Sequence, residues 1–317
     1  MAESHPLVSL IIATYNHKKF VCETVAGALS QDYPNLEIVI SDDCSPDGTF
    51  EILQDLARHY SGPHKLTVRK NARNLGLVPH VNKLLSEFAH GEYVMLSGGD
   101  DVCLPQTVSF AMKKIMGLGV ESVAFNSYCI DAESNRNGTR LPIDKPDEVY
   151  TLKNFLARNF RTNGACRLFK TEIFTTFGML SPDCQTEDST NLFRTFLFGK
   201  VGYCYTPNLN YREHGNNVSG FKSLMTKFDP QKICNQYRHD LELALSKGMV
   251  SPMEYEAIKV MQMDYLRTNV AIREVYKKRF FVVRLIFALS YLLRPGYSLN
   301  YVKSLVKSVL RWHRERM

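Results

Sequence analysis

Several features are missing from this 317-residue sequence, and each absence excludes a class of protein. No uninterrupted apolar run reaches the ~18 to 20 residues that a bilayer-spanning helix needs. The eight cysteines are scattered without any Cys-x-x-Cys or zinc-ligand spacing, which predicts reduced core thiols and a reducing compartment. No Gly-x-Gly-x-x-Gly follows the first predicted strand, so a dinucleotide-binding oxidoreductase is disfavoured. The apolar run over residues 7–13 is too short for a signal peptide, so we expect none.

The formal net charge of +7 is concentrated at the C-terminus. Residues 277–317 contain ten Lys or Arg but one acid, Glu315, whereas the rest of the chain is close to neutral. Over residues 298–316, apolar positions at helical spacing alternate with basic ones, a pattern typical of an interfacial helix on anionic lipid. A packed helix with a solvated basic face, or a dimer contact, is the alternative. No nucleic-acid motif accompanies the charge, so we expect no nucleic-acid partner.

Predicted strands and helices alternate through the first part of the chain. Apolar runs predict buried strands, and amphipathic stretches between them predict helices. The predicted strands are residues 8–13, 36–41, 65–69 and 93–96, and the predicted helices are 18–31, 49–60 and 81–89. This alternation predicts an α/β fold with a mainly parallel central sheet.

From about residue 222 the alternation stops and helices are predicted over residues 222–247 and 252–278. We therefore expect two domains, an α/β domain over residues 1–220 and an all-helical C-terminal extension over residues 221–317. Between the two halves of the α/β domain, the polar segment 131–148 is predicted to be a loop. Residues 163–169 are predicted to form a strand.

Three polar loops follow predicted strands, at residues 14–17, 42–48 and 98–101. Parallel strands connected by right-handed crossovers bring such loops to one edge of the sheet, where open α/β sheets bind ligands. The third loop reads Gly98-Gly99-Asp100-Asp101. Adjacent carboxylates and flexible glycines indicate either a divalent-metal site that holds a phosphate or a solvated turn, and the loop by itself does not separate the two.

The ordered motifs resemble those of the family 2 glycosyltransferases. They are Val-Ser-Leu-Ile-Ile-Ala-Thr-Tyr-Asn from residue 8, Ser-Asp-Asp-Cys-Ser-Pro-Asp-Gly-Thr from residue 41, Asn-Leu-Gly from residue 74 and Gly-Glu-Tyr-Val-Met-Leu-Ser-Gly-Gly-Asp-Asp from residue 91. The resemblance covers about residues 7–220. It implies the GT-A fold, which is Rossmann-like, and an inverting transferase that uses nucleotide sugars. Two departures are Cys44 in place of the usual glycine and Gly-Asp-Asp in place of the fuller Asp-x-Asp.

The resemblance assigns roles in nucleotide and metal binding. Thr14 and Tyr15 would border the base, with Tyr15 stacked on it. Asp43 would accept a hydrogen bond from a uracil-type imide N–H, while Asp42 would support the loop. From the residues alone, the two aspartates also suit a turn or helix cap.

In the Gly-Asp-Asp motif, the resemblance implies that Asp101 binds the metal that bridges the diphosphate. It also implies that Asp100 lies near the ribose or the metal. The metal would be Mn²⁺ or Mg²⁺. Arg212 and His214, in the family's closing segment, are candidates to reach the diphosphate or the metal. His214 is equally consistent with a bystander in a polar loop.

The catalytic base would be Asp188. The segment Thr186-Glu187-Asp188 resembles the family's Glu-Asp motif at the start of a helix, with Glu187 in a supporting role. Inversion needs a carboxylate that removes the proton of the attacking hydroxyl. A helix N-terminus lowers the pKa of a carboxylate, so burial or Glu187 must offset that effect, and an N-terminal capping role is the alternative.

These residues predict an enzyme that moves a sugar, UDP-linked in our interpretation, to a glycan acceptor. The resemblance extends to bacterial surface-polysaccharide assembly of the O-antigen or capsule type. The basic C-terminus suggests an acceptor on a polyprenyl-diphosphate carrier, a peripheral position at the inner face of the cell membrane and a possible homodimer. The alternative is an inactive nucleotide-sugar-binding or scaffold protein at the membrane.

Overall fold

The computed structural model describes residues 5–214, 228–278 and 281–291, with positions 302–303, 306–307 and 309–310 of the C-terminal segment. These residues form two compact units. The first comprises residues 5–214 and 236–251, and the second comprises residues 228–235 and the described residues from 252 onward. The predicted boundary near residue 220 lies outside the described residues.

The first unit contains an eight-stranded sheet with the order β3-β2-β1-β4-β10-β6-β11-β9 and a four-stranded sheet with the order β5-β12-β7-β8. In chain order the strands are β1 (Val8–Thr14), β2 (Leu36–Asp42), β3 (Lys65–Lys70), β4 (Tyr93–Gly98), β5 (Val102–Cys103), β6 (Ser122–Phe125), β7 (Tyr128–Ile130), β8 (Arg136–Thr139), β9 (Glu148–Tyr150), β10 (Arg167–Lys170), β11 (Val201–Cys204) and β12 (Leu209–Arg212). The pairs β1–β2, β1–β4, β2–β3 and β6–β11 are parallel. The pairs β4–β10, β6–β10 and β9–β11 are antiparallel. The expected α/β fold is confirmed, and its sheet is fully parallel at the β3-β2-β1-β4 side.

Helices cover the sheets. Over residues 5–214 they are α1 (Val21–Leu29), α2 (Thr49–His59), α3 (Leu77–Glu87), α4 (Thr107–Leu118), α5 (Leu152–Leu156), α6 (Glu172–Phe177) and α7 (Asp188–Phe198). The core between helices and sheet is built from β1, β2 and β4, where residues such as Leu10, Ile12, Ile38 and Met95 are fully buried. Strands buried on both faces read as continuous apolar runs, which is why they are recognisable in the sequence.

Three local predictions differ from the structure. The segment 131–148, predicted to be a loop, contains β8, which pairs antiparallel with β7. The predicted strand over 163–169 begins at Arg167, because residues 163–166 form an irregular segment in which Cys166 has a left-handed φ of 50°. Helix α3 begins at Leu77 rather than residue 81, since Pro79 lies in its first turn, where the missing N–H costs nothing.

The described C-terminal helices are α8 (Pro230–Ser246), α9 (Pro252–Tyr276) and α10 (Phe281–Ser290). None of the helices among the described residues is long and apolar enough to cross a membrane. Arg194 of α7 pairs with Asp240 of α8 inside the first unit: Nε donates to Oδ2 at 2.8 Å and Nη2 to Oδ1 at 3.0 Å. Both side chains are buried, so each charge depends on the other.

Candidate active site

The three polar loops meet at one edge of the large sheet. The register places Thr14 opposite Asp42 and Ala13 opposite Gly98, so the carboxyl ends of β1, β2 and β4 lie side by side. Thr14 is buried, and its hydroxyl donates to the carboxylate of Asp42 at 3.2 Å. Tyr15 is 42% exposed, so part of its side chain is accessible at this edge. The convergence predicted from the sequence is present.

Asp42 and Asp43 are both buried but hold different loops. The backbone N–H of Ser45 donates to Asp42 at 2.8 Å, and the Ser45 hydroxyl donates at 2.5 Å, so Asp42 closes its own loop. Asp43 accepts from Asn71 Nδ2 at 2.7 Å and from the backbone N–H groups of Leu75 and Gly76, each at 2.9 Å. Asp43 therefore organises the loop over residues 71–76 through both of its carboxylate oxygens.

The adjacent carboxyl groups of Asp100 and Asp101 occupy different environments. Asp101 is 5% exposed and accepts the backbone N–H of Arg212 at 3.0 Å. Burial, together with the neighbouring Asp100, raises the pKa of Asp101 well above its ordinary value. The carboxylate of Asp100 retains solvent access and lies 3.0 Å from His214 Nε2. The geometry thus presents Asp100 at the surface of the site and turns Asp101 inward, whereas the sequence assigned the metal to Asp101.

Arg212 is a buried residue whose side chain bonds to other protein groups. Its side chain is fully buried; Nε donates to the backbone carbonyl of Asp100 at 2.9 Å, and Nη2 donates to Glu23 at 2.8 Å. Nη1 donates to the carbonyl of Asp131 at 3.1 Å and to the Ser134 hydroxyl at 2.9 Å. The guanidinium is engaged by protein groups, so the position supports the Asp100 loop and does not favour the predicted reach to a diphosphate.

Two histidines flank the Asp100 loop. The ring of His214 lies 4.8 Å from that of Phe20, which orients its Nε2 toward Asp100. His17 is half-buried next to Gly99, and a Cβ on Gly99 would lie 2.5 Å from its Nδ1. That nitrogen is buried and has no hydrogen-bond partner among the described residues. Burial lowers the pKa of His17, so the ring is neutral at pH 7.

The residues at this loop fit a divalent cation that is shared with a substrate. Within the described part of the chain, no group of three or more His, Cys, Asp or Glu side chains could hold a metal alone. Asp100 and His214 supply two ligand-capable groups 3.0 Å apart. Mg²⁺ and Mn²⁺ at nucleotide sites are commonly bound by one or two protein groups plus phosphate oxygens. The donor set therefore suits a metal–diphosphate complex rather than a free metal ion.

The predicted base lies at the start of α7. Asp188 is its first residue and is exposed, and Gly164 packs against it so closely that a Cβ on Gly164 would collide with Asp188 Oδ2. Glu187 is half-buried beside it. Burial, followed by the charge of Asp188, raises the pKa of Glu187 to about 8. Glu187 is thus largely protonated at pH 7, and Asp188 is the solvent-exposed carboxyl group of the pair.

Arg167 joins this pair to the irregular segment before β10. Its guanidinium is buried; Nη1 donates to the backbone carbonyl of Asp188 at 3.3 Å, and Nη2 donates to the carbonyl of Asn163 at 2.9 Å. Nη2 also donates to the Thr162 hydroxyl. Burial lowers the pKa of Arg167 to about 10, so it stays charged at neutral pH and faces Glu187 and Asp188.

The register of β10 brings the two halves of the site together. Arg167 pairs with Leu96 in antiparallel register, so residues 163–166 lie beyond the carboxyl end of β4, beside the loop that carries Asp100. A sulfur contact of 3.7 Å between Cys103 and Cys166 joins the two segments. Asp188, held against Gly164, and Asp100 therefore lie at the same edge of the sheet.

Sequence reasoning missed His17, Gly164 and Arg167. His17 follows a predicted strand within a polar loop, a signal that could have marked it. Gly164 and Arg167 gave no such signal, because a glycine beside a carboxylate 24 residues away and a buried arginine are visible only in the fold.

The family model described as "Glycosyl transferase family 2" matches residues 9–179, more than half of the chain. The chain belongs to the family 2 glycosyltransferases. The matched region contains the loops at Thr14, Asp42 and Asp100, and the segment with Asp188 follows it.

Two relatives illustrate the similarity. The abequosyltransferase RfbV of Salmonella typhimurium is 32% identical over 161 residues, which are 48% of this chain and 46% of RfbV. The Escherichia coli protein WfaP, named UDP-Glc:alpha-D-GlcNAc-diphosphoundecaprenol beta-1,3-glucosyltransferase, is 36% identical over 129 residues, 40% of this chain and 48% of WfaP. The chain spans about a third to a half of the length of the first curated relatives it matches.

Two solved structures share the fold. Staphylococcus aureus TarS 1–349, in complex with UDP-GlcNAc, aligns with a TM-score of 0.57 at 16% identity and covers 98% of this chain and 92% of TarS 1–349. The mannosyltransferase PcManGT of Pyrobaculum calidifontis, in complex with GDP-Man and Mn²⁺, aligns with a TM-score of 0.56 at 18% identity, covering 97% and 87%. At these identities the likeness confirms the GT-A-like fold of this glycosyltransferase.

Proposed function

We propose that this glycosyltransferase moves a sugar from a UDP-linked donor to a hydroxyl group of a glycan acceptor, with inversion at the anomeric carbon. The observation that carries the proposal is that Gly164, which contacts Asp188, and Asp100 lie at the same edge of the large sheet. An accessible carboxylate and a phosphate-facing acidic loop at one edge are the two parts that such a transfer needs. Donor binding in TarS, whose structure holds UDP-GlcNAc, supports a nucleotide sugar in the same fold.

On the donor side, Thr14 and Tyr15 border the base, and the carboxylate of Asp43 accepts a hydrogen bond from the imide N–H of uracil. Each carboxylate oxygen has two acceptor sites, so Asp43 Oδ2, which accepts a hydrogen bond from the Gly76 N–H, has capacity for a further donor. Asp42 holds the loop in place through its hydrogen bonds with Ser45. The family resemblance implies these roles, and the positions concerned lie close together in the fold.

We assign the metal contact to Asp100, with His214 as second ligand, in place of the Asp101 contact expected from the sequence. The cation is Mn²⁺ or Mg²⁺, and Mn²⁺ in the PcManGT complex supports this choice. When bound, such a cation offsets the negative charge that develops on the departing diphosphate. Asp101 and Arg212 keep the loop in the conformation that presents Asp100.

Asp188 is the proposed catalytic base. It accepts the proton of the acceptor hydroxyl as the hydroxyl oxygen attacks the anomeric carbon, opposite the leaving diphosphate. Glu187, neutral at pH 7, adds no second negative charge beside it, and Arg167 fixes the backbone from which Asp188 extends. Gly164 leaves the space that the Asp188 carboxylate occupies.

For the acceptor, we propose a glycan on a polyprenyl-diphosphate carrier, used in bacterial surface-polysaccharide synthesis at the inner face of the cell membrane. The name of WfaP, which includes a diphosphoundecaprenol acceptor, supports this choice. The ten basic residues over 277–317 supply a partner for anionic lipid, each worth about 1 kcal/mol near the surface. A homodimer and an inactive sugar-nucleotide-binding protein are the competing proposals.

The decisive variant is Asp188→Asn, which keeps the shape of the side chain and removes the proton acceptor. We expect turnover to fall by about 10² or more, with the Kd for UDP in the presence of Mn²⁺ unchanged. Donor sugars are screened first by thermal stabilisation of the wild-type protein, and turnover is then measured with the best donor. Near-normal turnover in Asp188→Asn would return Asp188 to helix capping, and absence of turnover with every donor, despite UDP binding, would favour the inactive binding protein.

A further inference from the structure

Helix α10 has the polarity of its two sides reversed relative to an ordinary surface helix. Four apolar side chains face outward: Val282 and Ile286 are 61% and 62% exposed, and Val283 and Leu289 are each 44% exposed. At about 100° per residue these positions form one stripe. The single charged residue of the helix, Arg284, is 7% exposed and lies on the opposite side.

The buried arginine is held by the last residue of α9 and by Lys278, two residues further on. Arg284 Nε donates to the backbone carbonyl of Lys278 at 2.7 Å, and Nη2 donates to the carbonyl of Tyr276 at 3.0 Å. Its charge caps the carbonyl end of α9, where a cation is favoured. The inward side of α10 also contributes Ala288 to the core of the second unit, and Tyr291, directly after the helix, joins it there. The outward stripe is therefore fixed by packing on the other side of the helix.

The described positions of the C-terminal segment have the opposite arrangement. Val302 and Val309 are buried in the same core as α10, while Lys303 and Lys307 are exposed. Val302 and Val309 are thus used for packing within the second unit, whereas Leu310 is 43% exposed, so the apolar positions expected to face lipid are largely turned inward. Its lysines remain available to an anionic partner.

We infer that the outward stripe of α10 (Val282, Val283, Ile286 and Leu289) inserts into the surface of an anionic lipid bilayer, with the exposed lysines of the same unit in contact with lipid headgroups. Exposed apolar side chains in a segment with ten basic residues and one acid match the two features of such a surface, an apolar interior and negative headgroups. The inference deepens the proposed membrane association and rests on it. It moves the inserted element from the terminal segment to α10.

The test is co-sedimentation of the full chain with vesicles of phosphatidylcholine alone or with about 30% phosphatidylglycerol, which gives the vesicle a negative surface potential. Val282→Glu/Ile286→Glu is expected to lower the partition coefficient on anionic vesicles at least tenfold. Val260→Glu/Met263→Glu is the matched control: both residues are exposed on α9, and the same two charges are added in the same unit. The control is expected to stay within twofold of the wild type. Equal losses in both variants, or no loss in the first, would overturn the inference.

Insertion is measured separately from charge attraction. Trp312 is the single tryptophan of the chain, so Trp312→Phe/Ile286→Trp reports on α10 alone. Its emission is expected to shift to the blue and to be quenched by brominated lipid on anionic vesicles, whereas Trp312→Phe/Val260→Trp should show neither effect. If the protein binds but the emission of the tryptophan introduced on α10 stays unshifted, the stripe does not enter the bilayer.

A second copy of the chain is the competing occupant of the stripe. Light scattering without lipid is expected to give the same mass for the wild type and for Val282→Glu/Ile286→Glu; a wild-type dimer that the variant dissociates would overturn the inference. Circular dichroism and thermal unfolding of each variant check the fold, and Val282→Ser/Ile286→Ser replaces the Glu variant if that variant does not fold. Vesicle binding needs neither donor nor acceptor, so its failure is distinct from a failure of glycosyl transfer.

Discussion

Asp100→Asn and Asp101→Asn distinguish the two carboxyl groups of the Gly-Asp-Asp motif. Asp100 is one of two ligand-capable groups at the proposed metal position, so its loss should weaken Mn²⁺-dependent UDP binding by about 10- to 100-fold or more, or about 1.4 to 2.7 kcal/mol. Asp101 is turned inward, and an amide oxygen can still accept the Arg212 N–H. Asp101→Asn should therefore keep UDP affinity within about threefold and cost about 1 kcal/mol of stability.

The assay is calorimetric titration of UDP into each variant with Mn²⁺ and with EDTA, alongside thermal unfolding. Only the Mn²⁺-dependent part of the affinity should change in Asp100→Asn, while Asp101→Asn should show a Tm decrease of about 2 to 4 °C. The reverse pattern, with Asp101→Asn losing the Mn²⁺-dependent part and Asp100→Asn keeping it, would refute our placement of the metal and restore the assignment made from the sequence.

Three further predictions follow from the same site. Gly164→Ala should lower kcat at least tenfold at unchanged UDP affinity, because the added methyl group would displace the Asp188 carboxylate. Gly117 is the control, since a Cβ there would meet no atom within 4 Å. Gly117→Ala should leave kcat unchanged and raise the free energy of unfolding by about 0.5 to 1 kcal/mol. Glu187→Gln should flatten the pH dependence of stability: the folded state keeps a proton that the unfolded state releases between pH 4.5 and about 8, so the free energy of unfolding falls as pH rises through this window. The slope is at most about 1.4 kcal/mol per pH unit, because a single proton is involved. Equal slopes in variant and wild type, measured by urea unfolding at several pH values, would count against the raised pKa of Glu187. Mn²⁺ alone should show no saturable binding below about 1 mM but bind tightly with UDP present, since two protein ligands need phosphate oxygens to complete the set.

The parts of the fold that the sequence predicted are those buried on both faces. The β3-β2-β1-β4 region was recognisable because its strands are continuous apolar runs that end in polar loops. The hairpin of β7 and β8 was missed because Arg136–Thr139 contains no apolar side chain and is mostly exposed, so its strand character comes from pairing with β7. The local amino-acid composition does not indicate such pairing.

The candidate site was predicted at the level of loops but not of individual atoms. The sequence identified the Asp100-Asp101 pair, but which carboxyl group faces the site is decided by the backbone N–H of Arg212, 111 residues away. Judged from the sequence, burial or Glu187 had to offset the effect of the helix N-terminus on Asp188. In the structure it is Glu187 whose pKa is raised by burial, because that side chain is the more buried of the two.

The buried Arg194–Asp240 pair limits where the chain can be cut. A protein truncated after residue 220, the boundary that the change in sequence pattern suggests, would retain Arg194 but lose Asp240 together with the rest of α8. An unpaired buried guanidinium costs about 3 to 5 kcal/mol, a large part of the ~5 to 15 kcal/mol that stabilises a typical folded domain. Part of the stability of the α/β unit therefore comes from a helix that follows the α/β region in the chain. The smallest fragment expected to fold extends through Ser251.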